Sequence, residues 1–204
     1  SILGGASKIG KSWLVLDLCV RVAKGEPFWN LPTTKGTTLY LCLEDTFRRV
    51  QERLLRITDE WPSNAFFAVA AKTLADGLGD QIRDFVKEHT DTVLVVIDVF
   101  QMIRGNEKEN SYATDYRDIQ TLKQISVELD IAILVVHHIR KLEDEDPFNM
   151  LSGTTGISGA VDSSFVLKRS KRNQTNATLS CTGRDIESRE LKLQRTAHRW
   201  NLIA

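Results

Sequence analysis

Gly5-Ala6-Ser7-Lys8-Ile9-Gly10-Lys11-Ser12 stands between two segments of different character. Before it, Ser1-Ile2-Leu3 reads as the end of a buried strand. After it, the stretch from Lys11 to Lys24 carries Leu14, Cys19 and Val22, flanked by Leu16 and Leu18, at helical spacing. Gly25 is placed to cap that helix, and Pro27 follows. Strand, glycine-bounded turn and helix in that order fit the pattern GxxxxGK[ST] without a mismatch. Such a turn has the chemistry of a phosphate cradle. Glycines let the backbone fold so that consecutive N–H groups point inward, and the helix N-terminus adds a positive partial charge. Lys11 is then placed to neutralise the outer phosphates of a nucleotide, and Ser12 to offer its hydroxyl to Mg²⁺. The plainer reading, a glycine-rich turn with a chance lysine, accounts for neither the flanking elements nor the acid that follows. Because a strand precedes such loops, the chain is expected to start inside its own first strand.

That acid is Asp98. It ends Thr92-Val93-Leu94-Val95-Val96-Ile97, a continuous apolar run of the kind buried on both faces of a sheet. A carboxylate there can hold Mg²⁺ beside the cradle, the Walker B role; taken alone it reads as an ordinary strand-capping acid. Val99 follows it, so the position that often carries a water-activating Glu is empty. Glu44 is the best substitute. It closes the apolar strand Thr37 to Leu43, and adjoining strand ends in such a sheet face one crevice. The alternative is a solvated acid at the start of the next helix, which carries Val50, Leu54 and Leu55. Asp45 or Thr46 can cap that helix, with Asp45 favoured. A further strand, Ile131 to Val136, ends in His137-His138. One of the pair, His138, is placed to touch a γ-phosphate, and His137 faces the other side of the sheet as a hydrogen-bonded core histidine. Adjacent strand residues point oppositely, which argues against a zinc site.

Elsewhere the chain alternates. Ala65 to Ala70 is a short apolar stretch. Asp80 to Lys87 reads as a helix with Ile82 and Phe85 inward, and Thr114 to Leu129 as another with Ile119, Leu122 and Ile125 on one side. From Val161 onward the pattern is of successive strands. The fold class expected is α/β: a mainly parallel twisted sheet flanked by helices on both faces and extended by C-terminal antiparallel strands. Twenty-seven basic and 27 acidic residues cancel, so overall charge points to no polyanion, and a nucleic-acid surface has to be a local patch. Three cysteines without CxxC spacing suit a reduced, cytoplasmic protein. No apolar run approaches the roughly 18 residues a membrane span needs.

Taken together, the cradle, Leu43-Glu44-Asp45 after the second strand, the bare Asp98 and His137-His138-Ile139-Arg140-Lys141 resemble the RecA-like ATPase core. Within it the resemblance is to the RepA-like and DnaB-like hexameric replicative helicases of plasmids, phages and mobile elements. That resemblance covers nearly the whole chain and implies one RecA-like domain over residues 1–204, with ATP and Mg²⁺ as ligands. It implies that Glu44 activates water and His138 senses the γ-phosphate. It further implies that the segment from Ile139 to Ser158 faces single-stranded DNA in the channel of a homo-hexameric ring. In such rings a neighbour supplies an arginine finger; the candidates are Arg184, in Thr182-Gly183-Arg184-Asp185, then Lys171 and Arg172. Arg184 reads equally as a surface arginine paired with Asp185. Glu143-Asp144-Glu145-Asp146 departs from the family pattern, because an acidic run repels DNA. Arg140, Lys141 and Ser152 to Gly156 are left as the strand-contacting groups. A regulatory RecA-like ATPase that acts on a protein partner is the competing reading. A kinase leaves Glu44 without a use, and no Asn-Lys-x-Asp motif supports a GTPase.

Overall fold

A computed structural model of the chain describes residues 1–105, 112–139, 144–151, 156–169 and 175–203. Among them nine strands form one sheet in the order β3-β2-β4-β5-β1-β6-β7-β8-β9. The strands are β1 (Ile2–Gly5), β2 (Thr37–Cys42), β3 (Ala65–Ala68), β4 (Thr92–Asp98), β5 (Ala132–His138), β6 (Ser163–Lys168), β7 (Asn176–Gly183), β8 (Arg189–Thr196) and β9 (Arg199–Leu202). The first six run parallel, and β7, β8 and β9 add antiparallel hairpins. This is the mixed sheet expected from the sequence.

The helices are α1 (Lys11–Lys24), α2 (Phe47–Ile57), α3 (Leu78–Glu88), α4 (Tyr112–Leu129) and the short α5 (Gly156–Ala160). Alternation along each strand sorts side chains onto two faces. Tyr40 and Cys42 of β2, with Leu94 and Val96 of β4, pack with Leu14, Cys19 and Val22 of α1 and Leu54 of α2. Their neighbours Leu39, Leu41, Val95 and Ile97 pack on the opposite face with Ile82 of α3 and Ile119, Leu122 and Ile125 of α4. Each such fully buried aliphatic side chain contributes about 1.5–3 kcal/mol.

Local signals set the boundaries. α1 ends at Gly25, at φ 74°, with its N–H on Val22 O, as the sequence suggests. α2 starts at Thr46, whose side chain accepts from Arg49 N. The expectation that Asp45 caps this helix is therefore corrected: the Asp45 carboxylate is taken by Arg49 at 3.0 Å and by Arg53. Two guanidiniums outcompete a backbone amide for one carboxylate.

The C-terminal hairpins lean on α1. Asp17 in α1, 3% exposed, pairs with Arg21 and with Arg199 of β9. Trp200, 1% exposed, donates its indole N–H to Gly10 O at 3.1 Å, and Trp29 donates to Trp200 O at 2.7 Å. Arg169 lies over the Trp200 ring at 4.8 Å. The basic segment Lys168 to Arg172, read from sequence as a solvated hairpin, thus has one member stacked on the core; Lys171 and Arg172 lie outside the described residues. No helix among the described residues is long and apolar enough to cross a membrane.

His137 sits on the face away from α1, against Phe100, and hydrogen-bonds the Leu151 backbone. Burial, and then the neighbouring His138, Lys11 and Arg104, hold its imidazole down to about 4. The folded chain takes up this proton near pH 4 and the unfolded chain near 6.5. Stability therefore falls as pH drops through that window, by up to about 3 kcal/mol. Urea melts of His137→Phe at pH 7 and pH 4.5 should show a smaller acid loss than wild type; an equal loss removes His137 as its source.

Candidate active site

The end of β1 and the start of α1 build the cradle. Gly5 closes β1, and a Cβ there would lie 2.9 Å from Leu167 O of the adjoining strand. Gly10 caps α1 at φ 112°, a conformation that side chains avoid, and a Cβ there would meet the Trp200 indole at 3.0 Å. No side chain caps α1, so its first N–H groups are left to a ligand. Ala6, Ser7, Lys8 and Ile9 form the turn between, with Lys8 at φ 64° and Ile9 N reaching Ala6 O.

A cleft of about 510 Å³ opens over this turn. Ser7, Lys8, Gly10, Lys11 and Ser12 line one wall, and Glu44, Asp98 and His138 reach it from the ends of β2, β4 and β5. Lys11 Nζ donates to Gly5 O at 2.6 Å and Ala6 O at 3.0 Å, and lies 3.3 Å from His138 Nδ1. An ammonium donates, so His138 Nδ1 accepts there. That leaves His138 Nε2–H to face Glu44 Oε2 at 3.4 Å. Ser7 Oγ also approaches His138 Nδ1, at 3.4 Å. Burial lowers the Lys11 ammonium to about 8, against the pull of Asp98 and Glu44. Burial also raises Asp98, which is 6% exposed; hydrogen bonds from Tyr40 and Ser12 and the charge of Lys11 oppose that shift.

The oxygens present suit Mg²⁺. Ser12 and Asp98 are hydrogen-bonded to each other, so a hydroxyl and a carboxylate already converge beside the cradle. Mg²⁺ takes one or two protein oxygens and completes its shell with phosphate and water. Accordingly, no group of three or more His, Cys, Asp or Glu suited to a metal occurs among the described residues.

Four groups at the site carry no sequence signal. Trp13 lies just past Ser12, with Arg53 and Arg195 over its ring at 5.6 and 5.5 Å, and all three line the cleft. Behind them, Tyr40 OH donates to Asp98 Oδ2. Arg184 is elsewhere: it follows β7 and pairs with Asp162 at 3.7 Å, not lining this cleft. Arg140, Lys141 and residues 152–155 lie outside the described residues.

A phosphate cradle after β1, with polar groups gathered from β2, β4 and β5 of this sheet, defines a RecA-like P-loop ATPase domain. The AAA domain family matches residues 1–144, and the chain belongs to that family. No curated protein sequence matches it significantly. Among solved structures, it resembles a phage-type ATPase domain solved on its own, with a TM-score of 0.80 at 13% identity, over 100% of this chain and 84% of that one. It also resembles a DnaB-like replicative helicase, solved in a study of its interactions with primase, with a TM-score of 0.78 at 13% identity. That match covers 98% of this chain and 56% of the other. At 13% identity these likenesses are of fold, and they agree with the RecA-like resemblance read from the motifs.

Lys11 is a buried cation satisfied by carbonyls of its own loop, so its charge costs stability and serves a ligand. Lys11→Met should melt no lower than wild type without nucleotide. Wild type at 100 times the dissociation constant of Mg·ATP should gain about 2.7 kcal/mol, and Lys11→Met should gain none. A nucleotide-dependent rise in Lys11→Met equal to that of wild type would remove Lys11 from the site.

Proposed function

We propose that the chain, as one domain over residues 1–204, hydrolyses ATP with Mg²⁺ in a hexameric ring of identical subunits. We propose that turnover drives movement along single-stranded DNA, in replication of a plasmid or mobile element. One observation carries this reading: Lys11, Ser12, Glu44, Asp98 and His138, from four separate segments, meet in one cleft above a helix N-terminus. The neighbours in fold are an ATPase domain and a DnaB-like replicative helicase, which supports the motor over other P-loop chemistries.

In this reading the amides of residues 6–12 and Lys11 hold the phosphates, and Ser12 and Asp98 hold the metal. Bound Mg²⁺ draws off charge that develops on the phosphate oxygens. Glu44 takes the proton of the attacking water. His138 bridges Lys11 and Glu44, so a γ-phosphate that draws Lys11 away also changes the partner of His138. Trp13, Arg53 and Arg195 form the wall left for the nucleoside. Arg184, exposed on the β7–β8 turn, serves the neighbouring subunit's site.

A regulatory ATPase acting on a protein partner is the second reading. It is favoured by Asp144, Glu145 and Asp146, which are exposed in the segment after β5 and would repel a phosphate backbone.

ATP hydrolysis measured with and without single-stranded DNA separates the two. Stimulation on the order of tenfold is expected of the motor, by analogy with the size of a single well-placed catalytic effect; no response to DNA, with saturable activation by a protein, overturns it. Glu44→Gln should bind Mg·ATP as wild type does and lose about 10²–10⁴ in turnover; normal turnover removes Glu44 as the base. Mixing Glu44→Gln with Arg184→Ala should restore part of the activity, because some interfaces then carry both groups. Absence of any recovery removes Arg184 as the finger.

A further inference from the structure

Tyr40 belongs to no motif, yet its hydroxyl lies 2.7 Å from Asp98 Oδ2. It is 1% exposed, inside the layer between the sheet and α1. A buried phenol needs an acceptor, and this one is spent on a carboxylate at the metal position. Register shows how far it reaches. Tyr40 pairs with Val96 and Cys42 with Asp98, so the side chain runs along β2 toward its carboxyl end. Just beyond the end of β2, the same chain presents Glu44 to the cleft.

We propose that Tyr40 is a positioning residue for the metal: its hydroxyl holds Asp98 Oδ2 and so sets where Mg²⁺ sits relative to Glu44. The torsion that turns a carboxylate about its last bond is broad and two-fold, so Asp98 does not choose an orientation by itself. The phenol commits Oδ2 and leaves Oδ1 as the freer ligand atom. Because Tyr40 and Glu44 lie on one continuous segment, the hydrogen bond also ties the metal ligand of β4 to the base that follows β2. Outer-sphere partners of this kind tune metal affinity by about 10–100-fold. The proposal deepens the nucleotide-site reading above and rests on it.

Tyr40→Phe keeps the ring and its packing and removes the hydroxyl. Binding of a fluorescent ATP analogue is titrated with Mg²⁺ at equilibrium, without turnover. The half-saturating Mg²⁺ concentration should rise about tenfold, while affinity for the analogue in EDTA stays at the wild-type value. In an Asp98→Asn background the same substitution should add no further shift, because its route runs through that carboxylate. A Tyr40→Phe protein that melts lower yet keeps the wild-type Mg²⁺ dependence would show a purely structural phenol and overturn the proposal. An undiminished shift in Asp98→Asn would overturn it as well. Wild type whose binding ignores Mg²⁺ sinks the metal site itself, whereas a responsive wild type matched by Tyr40→Phe sinks Tyr40 alone.

Discussion

Parallel strands end on one edge, and everything chemical in this protein depends on that constraint. β1 lies between β5 and β6, with β4 and β2 beyond β5. The crossovers reach their strands on both sides of β1, so the turn leaving it sits at the switch point of the topology, where open α/β sheets bind ligands. Asp98, Glu44 and His138 need no special loops to approach the cradle. Each is the first or second polar group where an apolar strand stops.

The arrangement is internally satisfied at some cost. Lys11 folds back on the carbonyls of Gly5 and Ala6, and Asp98 is shielded from water by Tyr40 and Ser12. Charges kept in such surroundings are poorly hydrated, so they lower stability while raising affinity for a ligand of opposite charge. His138 stands between the two halves, touching the cradle lysine with one nitrogen and Glu44 with the other.

Much of this is legible in the residues. The cradle declares itself because its function requires particular backbone geometry at particular spacing. Apolar runs such as Val93 to Ile97 betray strands covered on both faces, and the polar residue that ends each one marks the edge of the sheet. What stays hidden depends on register and on distant packing. Nothing near Tyr40 says that β2 and β4 pair so as to bring its hydroxyl to Asp98. Trp13, Arg53 and Arg195 come from three elements whose meeting follows from how β8 crosses α1. Asp45 misleads for the same reason: capping is a local contest, and arginines further along the helix decide it.

Trp200 gives the chain an order of assembly. The turn at Gly10 leaves the ribosome 190 residues ahead of the indole that steadies its carbonyl. Domains fold as they emerge from synthesis, but here a loop made early waits for a clasp made late. A nascent chain stalled anywhere before β9 holds the whole nucleotide motif without the strut beneath it, so a prematurely terminated polypeptide carries an unbraced loop rather than a working one.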